Sequence, residues 1–250
     1  MKTSWGGVAN WYDGVVNDDD SYQQKVLLPN IIRLLSLEKG KSVLDIACGQ
    51  GFFSHALSGK GLQVVGIDVS SELISIARSH ASHNEEFHIM SADDMGTFKD
   101  ASFDAGFSVL AIQNIEHIAK VFKEVSRILK PGGKFVIVLN HPVFRNPDKT
   151  SWRIDEENKI QYRRVDEYLS ESRKSIDMNP GNTDTQKKEY TVSFHRPLQV
   201  YSKMLSNAGF VISRIEEWTS HKESQKGPKK LMEDRARKEI PLFMCIECKK

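Results

Sequence analysis

Val43-Leu44-Asp45-Ile46-Ala47-Cys48-Gly49-Gln50-Gly51 reads as an apolar strand that passes through an acid into a turn of small residues. The Phe52-Phe53-Ser54-His55-Ala56-Leu57 that follows reads as the start of a helix. A strand emptying through glycines into a helix N-terminus brings backbone N–H groups up to a ligand with no side chain in between. The spacing D-x-x-x-G-x-G is not the dinucleotide fingerprint G-x-G-x-x-G: counted from Gly49, the third glycine falls on Ser54. No G-K-[ST] follows, so a phosphate loop is excluded too.

Working outward, Leu62-Gln63-Val64-Val65-Gly66-Ile67 forms a second short apolar run, closed by Asp68. In an open parallel sheet, ligands sit at the carboxyl ends of the strands near the switch point, where an acid can accept both hydroxyls of a ribose. Ser70 or Ser71 then caps a helix carrying Glu72, Leu73, Ile74 and Ala77. Glu86 to Met90 reads as a third strand, with Ser91-Ala92-Asp93-Asp94-Met95 behind it, and Ser102 to Leu110 as a fourth. A helix through Val121, Phe122, Val125, Ile128 and Leu129 ends at Lys130-Pro131-Gly132-Gly133, before a fifth strand from Lys134 to Leu139.

These motifs, in this order over residues 41 to 140, resemble the class I S-adenosylmethionine-dependent methyltransferases, of the small-molecule, methyltransferase-11-like type. The run R-x-L-K-P-G-G-x-F from Arg127 to Phe135 is a further feature shared with that family. The resemblance implies an α/β, Rossmann-like three-layer sandwich. Its seven-stranded, mostly parallel sheet has an antiparallel last strand, a helical cap at the N-terminus and an insertion after strand five. It also implies S-adenosylmethionine as cofactor and S-adenosylhomocysteine as product.

The implied cofactor-binding set begins with Asp45, Ala47, Cys48, Gly49 and Gly51 in the first turn, then Asp68, Val69 and Ser70 after strand two. Ala92, Asp93, Asp94 and Met95 follow strand three, and Ser108, Val109 and His117 lie at and beyond the end of strand four. Asp93 matches the family position that meets the adenine amino group. Aromatics in the N-terminal segment close over the cofactor in related enzymes, so Tyr12 and Tyr22 join the set, with ordinary packing as their alternative.

The organisation expected is a single methyltransferase domain over 1–250. Residues 1–40 form the cap, 41–140 the cofactor-binding half, 141–192 a charged lid and 193–250 the return to the sheet. With 35 basic and 33 acidic residues the net charge is +2, so no broad cationic face for nucleic acid is expected. Residues 221–239 carry seven basic and four acidic residues without interleaved aromatics, which reads as an exposed helix and loop. Met1 to Asn10 lack the apolar core of a signal peptide, and no apolar run approaches bilayer length. A soluble, cytoplasmic protein with no membrane partner is the expectation.

Three cysteines make no disulfide framework. Cys245 and Cys248 form a C-x-x-C, but in a terminal strand residues three apart face opposite ways, so no metal site is expected. Cys48 reads as a small packing residue. Two histidines are candidates for contact with the acceptor: His141 in Asn140-His141-Pro142, and His195 in Phe194-His195-Arg196-Pro197. A histidine suits proton transfer near neutral pH. Asn140-His141-Pro142 does not match the N-P-P-Y of DNA amino methylases, because it follows strand five and lacks the second proline and the tyrosine.

The acceptor expected is a small molecule, methylated by direct displacement. Methylation of tRNA or protein, and a non-catalytic module that only binds the cofactor, stay open.

Overall fold

The computed structural model describes residues 5, 14, 16, 18–178 and 188–250. A π-helical turn at Gln23–Leu27 leads into α1 (Leu28–Leu35). The ladder widens just ahead of Pro29, which has no N–H to donate to an ordinary helical turn. Val26, Leu27, Ile31, Leu34 and Leu35, spaced as one helical stripe, are all buried.

Then come β1 (Ser42–Ile46), α2 (Phe52–Ser58), β2 (Gln63–Asp68), α3 (Ser71–Ser79), β3 (Glu85–Ile89), β4 (Phe103–Val109), α4 (Ile118–Ile128) and β5 (Leu129–Asn140). The insertion forms two hairpins, β6 (Thr150–Asp155) with β7 (Ile160–Val165), and β8 (Ser172–Asp177) with β9 (Tyr190–His195). The chain returns through α5 (Leu198–Asn207), β10 (Val211–Trp218), α6 (Lys230–Glu239) and β11 (Phe243–Lys249).

The seven-stranded sheet runs β10-β11-β5-β4-β1-β2-β3. Every neighbouring pair is parallel except those of β11, which lies antiparallel to both β10 and β5. This is the three-layer sandwich the resemblance implies. Period-two alternation divides the core: Leu44 and Ile46 face α4 and α5, while Val43 faces α1 and α2. Cys245 and Cys248 fall into opposite layers of that core, both free and buried.

Two local readings change. Pro131-Gly132-Gly133 does not separate helix from strand, because α4 passes directly into β5 at Leu129. The proline and glycines instead shift the register between Phe103–Leu129 and Ala105–Lys134. The second hairpin of the insertion runs on to His195, three residues past the predicted end of the lid. No helix among the described residues is long and apolar enough to cross a membrane.

Candidate functional site

The order β4-β1-β2 places the switch point at the carboxyl end of β1, and the backbone is unusual there. Ala47 (φ 58°) and Gly49 (φ 58°) after β1, and Leu110 (φ 54°) after β4, all adopt left-handed conformations. Such conformations are costly for residues with a side chain and persist where surrounding structure demands them. Gly51 caps α2 with φ 87°. A Cβ added there would lie 2.9 Å from His55 Nε2 and 3.1 Å from the Phe87 ring, so only glycine fits this turn.

Asp68, 8% exposed, ties the turn to the next strand. One carboxylate oxygen accepts the Gly49 N–H at 3.0 Å and the other the Ser70 N–H at 2.9 Å. Capping of α3 belongs to Ser70, whose hydroxyl accepts the Leu73 N–H at 3.3 Å. Each Asp68 oxygen keeps a lone pair, and burial raises its pKa against the backbone bonds that lower it. Asp45 lies behind the turn, 2% exposed, and accepts the Ser54 hydroxyl at 2.7 Å. Burial pushes its pKa up to about 7; the Ser54 bond opposes the rise and the neighbouring Asp68 adds to it.

A cavity of about 160 Å³ opens at these strand ends. Its walls are Ala47, Gly49, Asp68, Val69, Leu73, Met90, Ser91, Ala92, Val109, Leu110, Ala111, Asn114 and Ile115, with Trp5. A wall that combines the polar Asp68 with apolar Leu73, Met90 and Ile115 suits a ribose joined to a flat base. A second cavity of about 610 Å³ adjoins it, sharing Trp5, Leu110 and Asn114. The insertion supplies much of its wall, through Thr150, Arg163, Ile176, Asp177, Met178, Thr191, Ser193 and His195.

Of the predicted cofactor residues, Ala47, Gly49, Asp68, Val69, Ala92 and Val109 meet in the smaller cavity. Cys48 packs its side chain with Ile74, Ala77 and Phe87. Gly51 shapes the turn, Ser70 caps its helix, and Ser108 donates its hydroxyl to Ile46 O at 2.9 Å. Asp93 accepts the Ser91 hydroxyl at 2.5 Å beside the cavity wall, and Asp94 is exposed. Met95 is withdrawn as a ligand residue: its side chain is fully buried in the core, and its N–H and C=O bond Glu124 and Arg127.

His117 is exposed ahead of α4, off both cavity walls. Tyr22 bonds Ser220 at 2.9 Å and stacks edge-on against Phe243, which is its packing alternative. Tyr12 lies outside the described residues.

The two histidines separate. His141, 3% exposed, bonds Glu217 through Nε2 at 2.7 Å, and its Nδ1 accepts the Val143 N–H at 3.2 Å. With both nitrogens engaged, Nε2 must carry the proton, and burial holds the pKa below the ordinary histidine value. It is not on either cavity wall and is withdrawn as a base. His195 is on the wall of the larger cavity, and its Nε2–H donates to Tyr168 O at 2.8 Å. Nδ1 is left as its acceptor nitrogen, with no partner among the described residues.

Trp5, Leu110, Asn114 and Ile115 were missed by sequence reasoning. The left-handed Leu110 is not legible in the sequence, and Trp5 is brought in from far along the chain.

An Asp68→Ala variant should weaken S-adenosylmethionine and S-adenosylhomocysteine together, since both carry the ribose. Loss of a charged hydrogen-bond acceptor costs ~1.5–3 kcal/mol. Calorimetry that returns unchanged affinities would reduce Asp68 to a clamp between Gly49 and Ser70.

Residues 44–137 match a family model described as Methyltransferase domain. A demethylmenaquinone methyltransferase of Staphylococcus haemolyticus is 28% identical over 140 residues, covering 54% of this chain and 59% of the relative. A ubiquinone biosynthesis O-methyltransferase of Xanthomonas oryzae pv. oryzae is 35% identical over 108 residues, 40% of this chain and 44% of the relative. The chain thus spans about half the length of the curated relatives it matches. An S-adenosylmethionine dependent methyltransferase from Mesorhizobium loti shares the fold, with a TM-score of 0.72 at 24% identity over 93% of this chain and 99% of that one. The glycine turn, the acid that closes β2 and the family match thus identify residues 44–137 as a methyltransferase domain, set in the fold of the S-adenosylmethionine-dependent methyltransferase from Mesorhizobium loti.

Proposed function

We propose that this protein transfers the methyl group of S-adenosylmethionine to a small molecule held in the larger cavity. The observation that carries this reading is the pair of adjoining cavities. One is built by the strand ends and the glycine turn, the other is walled by the insertion, and Trp5, Leu110 and Asn114 stand between them. The names of the two curated relatives support a small-molecule acceptor.

The smaller cavity fits the cofactor, because the left-handed backbone at Ala47 and Gly49 keeps bulk away and Asp68 retains lone pairs for a ribose. When bound, S-adenosylmethionine supplies a methyl on a cationic sulfur, already activated for in-line displacement. The chain's own task is to hold the acceptor in line and exclude water, worth roughly 7–11 kcal/mol in the best cases. Asn114 donates its amide to Val192 O at 2.8 Å, which ties the segment after β4 to β9 of the lid. In this reading His195, on the wall of the larger cavity with Nε2 bonded to Tyr168 O, uses Nδ1 to accept the proton an acceptor hydroxyl or amine loses as its bond to the methyl forms.

Incubation with methyl-labelled cofactor and a cell extract resolved into small molecules, RNA and protein tests the reading. Label is expected among the small molecules. Label confined to RNA or protein would overturn it, and tight cofactor binding with no transfer to any fraction would mark a non-catalytic binding module. A His195→Ala variant should lose most of the transfer, by roughly 100-fold or more, with S-adenosylhomocysteine affinity unchanged. Parallel loss of affinity and rate would show that His195 only holds the lid to Tyr168.

A further inference from the structure

The walls of the larger cavity gather unsatisfied polar atoms. Of the eight buried side-chain nitrogen and oxygen atoms without a hydrogen bond among the described residues, four are there: Gln113 Oε1, Asn146 Nδ2, Asn146 Oδ1 and Arg196 Nη1. Asn146 is 2% exposed and Arg196 5%, so bulk water does not serve them. Buried polar groups are almost always paired, and such a cluster facing one cavity marks a polar occupant.

Three arginines and two aspartates line the same walls, and the arginines are the ones without an ion-pair partner among the described residues. Arg196 donates through Nη2 to the carbonyls of Ile115 at 3.0 Å and Glu116 at 2.8 Å, and its guanidinium lies 4.9 Å from the Phe194 ring. Arg163 donates to Phe144 O at 2.9 Å and Thr150 Oγ1 at 2.8 Å, and lies 5.1 Å from the Trp152 ring. Arg145 stands exposed at the rim. These partners orient the guanidinium groups without neutralising them, and no carboxylate pairs with any of the three among the described residues. The two acids on the wall are already spoken for: Asp148 lies 3.4 Å from Lys174, and Asp177 2.9 Å from Lys188.

We infer that the methyl acceptor is a small organic anion, its charged group held by Arg196 and Arg163 with Arg145 at the rim. Asn146 and Gln113 bond a neutral polar group of the same molecule, and its nucleophile lies on the His195 side. An uncharged acceptor would leave the buried Arg196 and the half-buried Arg163 on one cavity wall with no carboxylate paired to either among the described residues. The inference rests on the methyl-transfer reading.

The test is to pass a deproteinised small-molecule extract over an anion exchanger at neutral pH, then incubate the retained and unretained pools separately with the protein and methyl-labelled cofactor. Label should appear in products of the retained pool. Equal or greater label from the unretained pool would overturn the anionic acceptor while leaving methyl transfer intact. Label from neither pool, with S-adenosylhomocysteine still bound, would remove the methyl-transfer reading and this inference together.

Arg163→Gln and Arg145→Gln are chosen because neither side chain is fully buried. Each should raise the amount of retained pool needed for half-maximal transfer by roughly 10- to 100-fold, with S-adenosylhomocysteine affinity unchanged. Arg163→Lys should recover part of the loss, since charge is kept and the fork is not. Unaltered acceptor saturation in both glutamine variants would overturn the inference.

Discussion

Asp45→Asn is expected to make the protein more stable above neutral pH, by up to the order of 4 kcal/mol. The carboxyl ionises near 3.8 when the chain is unfolded and near 7 when burial in the fold disfavours its charge. Between those values the folded state binds more protons than the unfolded one. Its stability is therefore full at low pH and falls as pH rises to about 7. Asparagine carries no charge to bury and can still accept the Ser54 hydroxyl. The gain should vanish near pH 4 and reach its full size at pH 8, read by denaturant unfolding at the two pH values.

The same variant should lose affinity for S-adenosylmethionine, whose sulfonium and ammonium favour an ionised carboxylate behind the turn. In the parent protein that affinity should rise with pH toward 7, and in the variant it should not. Equal stability of parent and variant at pH 8 would mean that Asp45 is charged without penalty, and the buried-acid account of the turn would fail.

Gly51→Val should destabilise the fold by roughly 2–5 kcal/mol and abolish cofactor binding in what remains folded. Two costs combine. Position 51 holds φ at 87°, where a β-branched residue is strained. A Cβ there also meets His55 at 2.9 Å, Phe87 at 3.1 Å and Ala77 at 3.2 Å, all packed against their own neighbours. His55 cannot easily withdraw, because its Nδ1 lies 2.7 Å from Glu85. Normal unfolding together with normal binding would show that the turn tolerates a right-handed residue and is not the element that brings backbone to the ligand.

The cofactor half was legible because each of its signals is local. Apolar alternation marks β1, β2 and β4, glycine marks the left-handed turn at Gly49 and Gly51, and an acid closes β2 at Asp68. The insertion was legible only as charge and turns. Its hairpins put Trp152, Ile154 and Tyr162 on faces that stay partly exposed, so neither side of β6 or β7 shows a continuous apolar row. Strand pairing there comes from backbone bonds and from the turn in which Asp155 accepts the Asn158 N–H at 3.0 Å, and hydrophobic periodicity barely records either.

Sequence alone determined the order of strands and helices in the cofactor half, the glycine turn and the acid at Asp68, because turn chemistry and period-two burial act between near neighbours. Tertiary structure alone decided which side chains have work left to do. His141 and His195 are alike in the sequence, each a histidine just ahead of a proline, yet Glu217, 76 positions away, engages one, while Tyr168 leaves a nitrogen of the other open. Likewise Gln113, Asn146, Arg163 and Arg196 converge on one cavity only because β9 returns beside the segment that follows β4. Hydrogen bonding and desolvation are settled by atoms that meet in space, and for these residues the partners lie far apart along the chain.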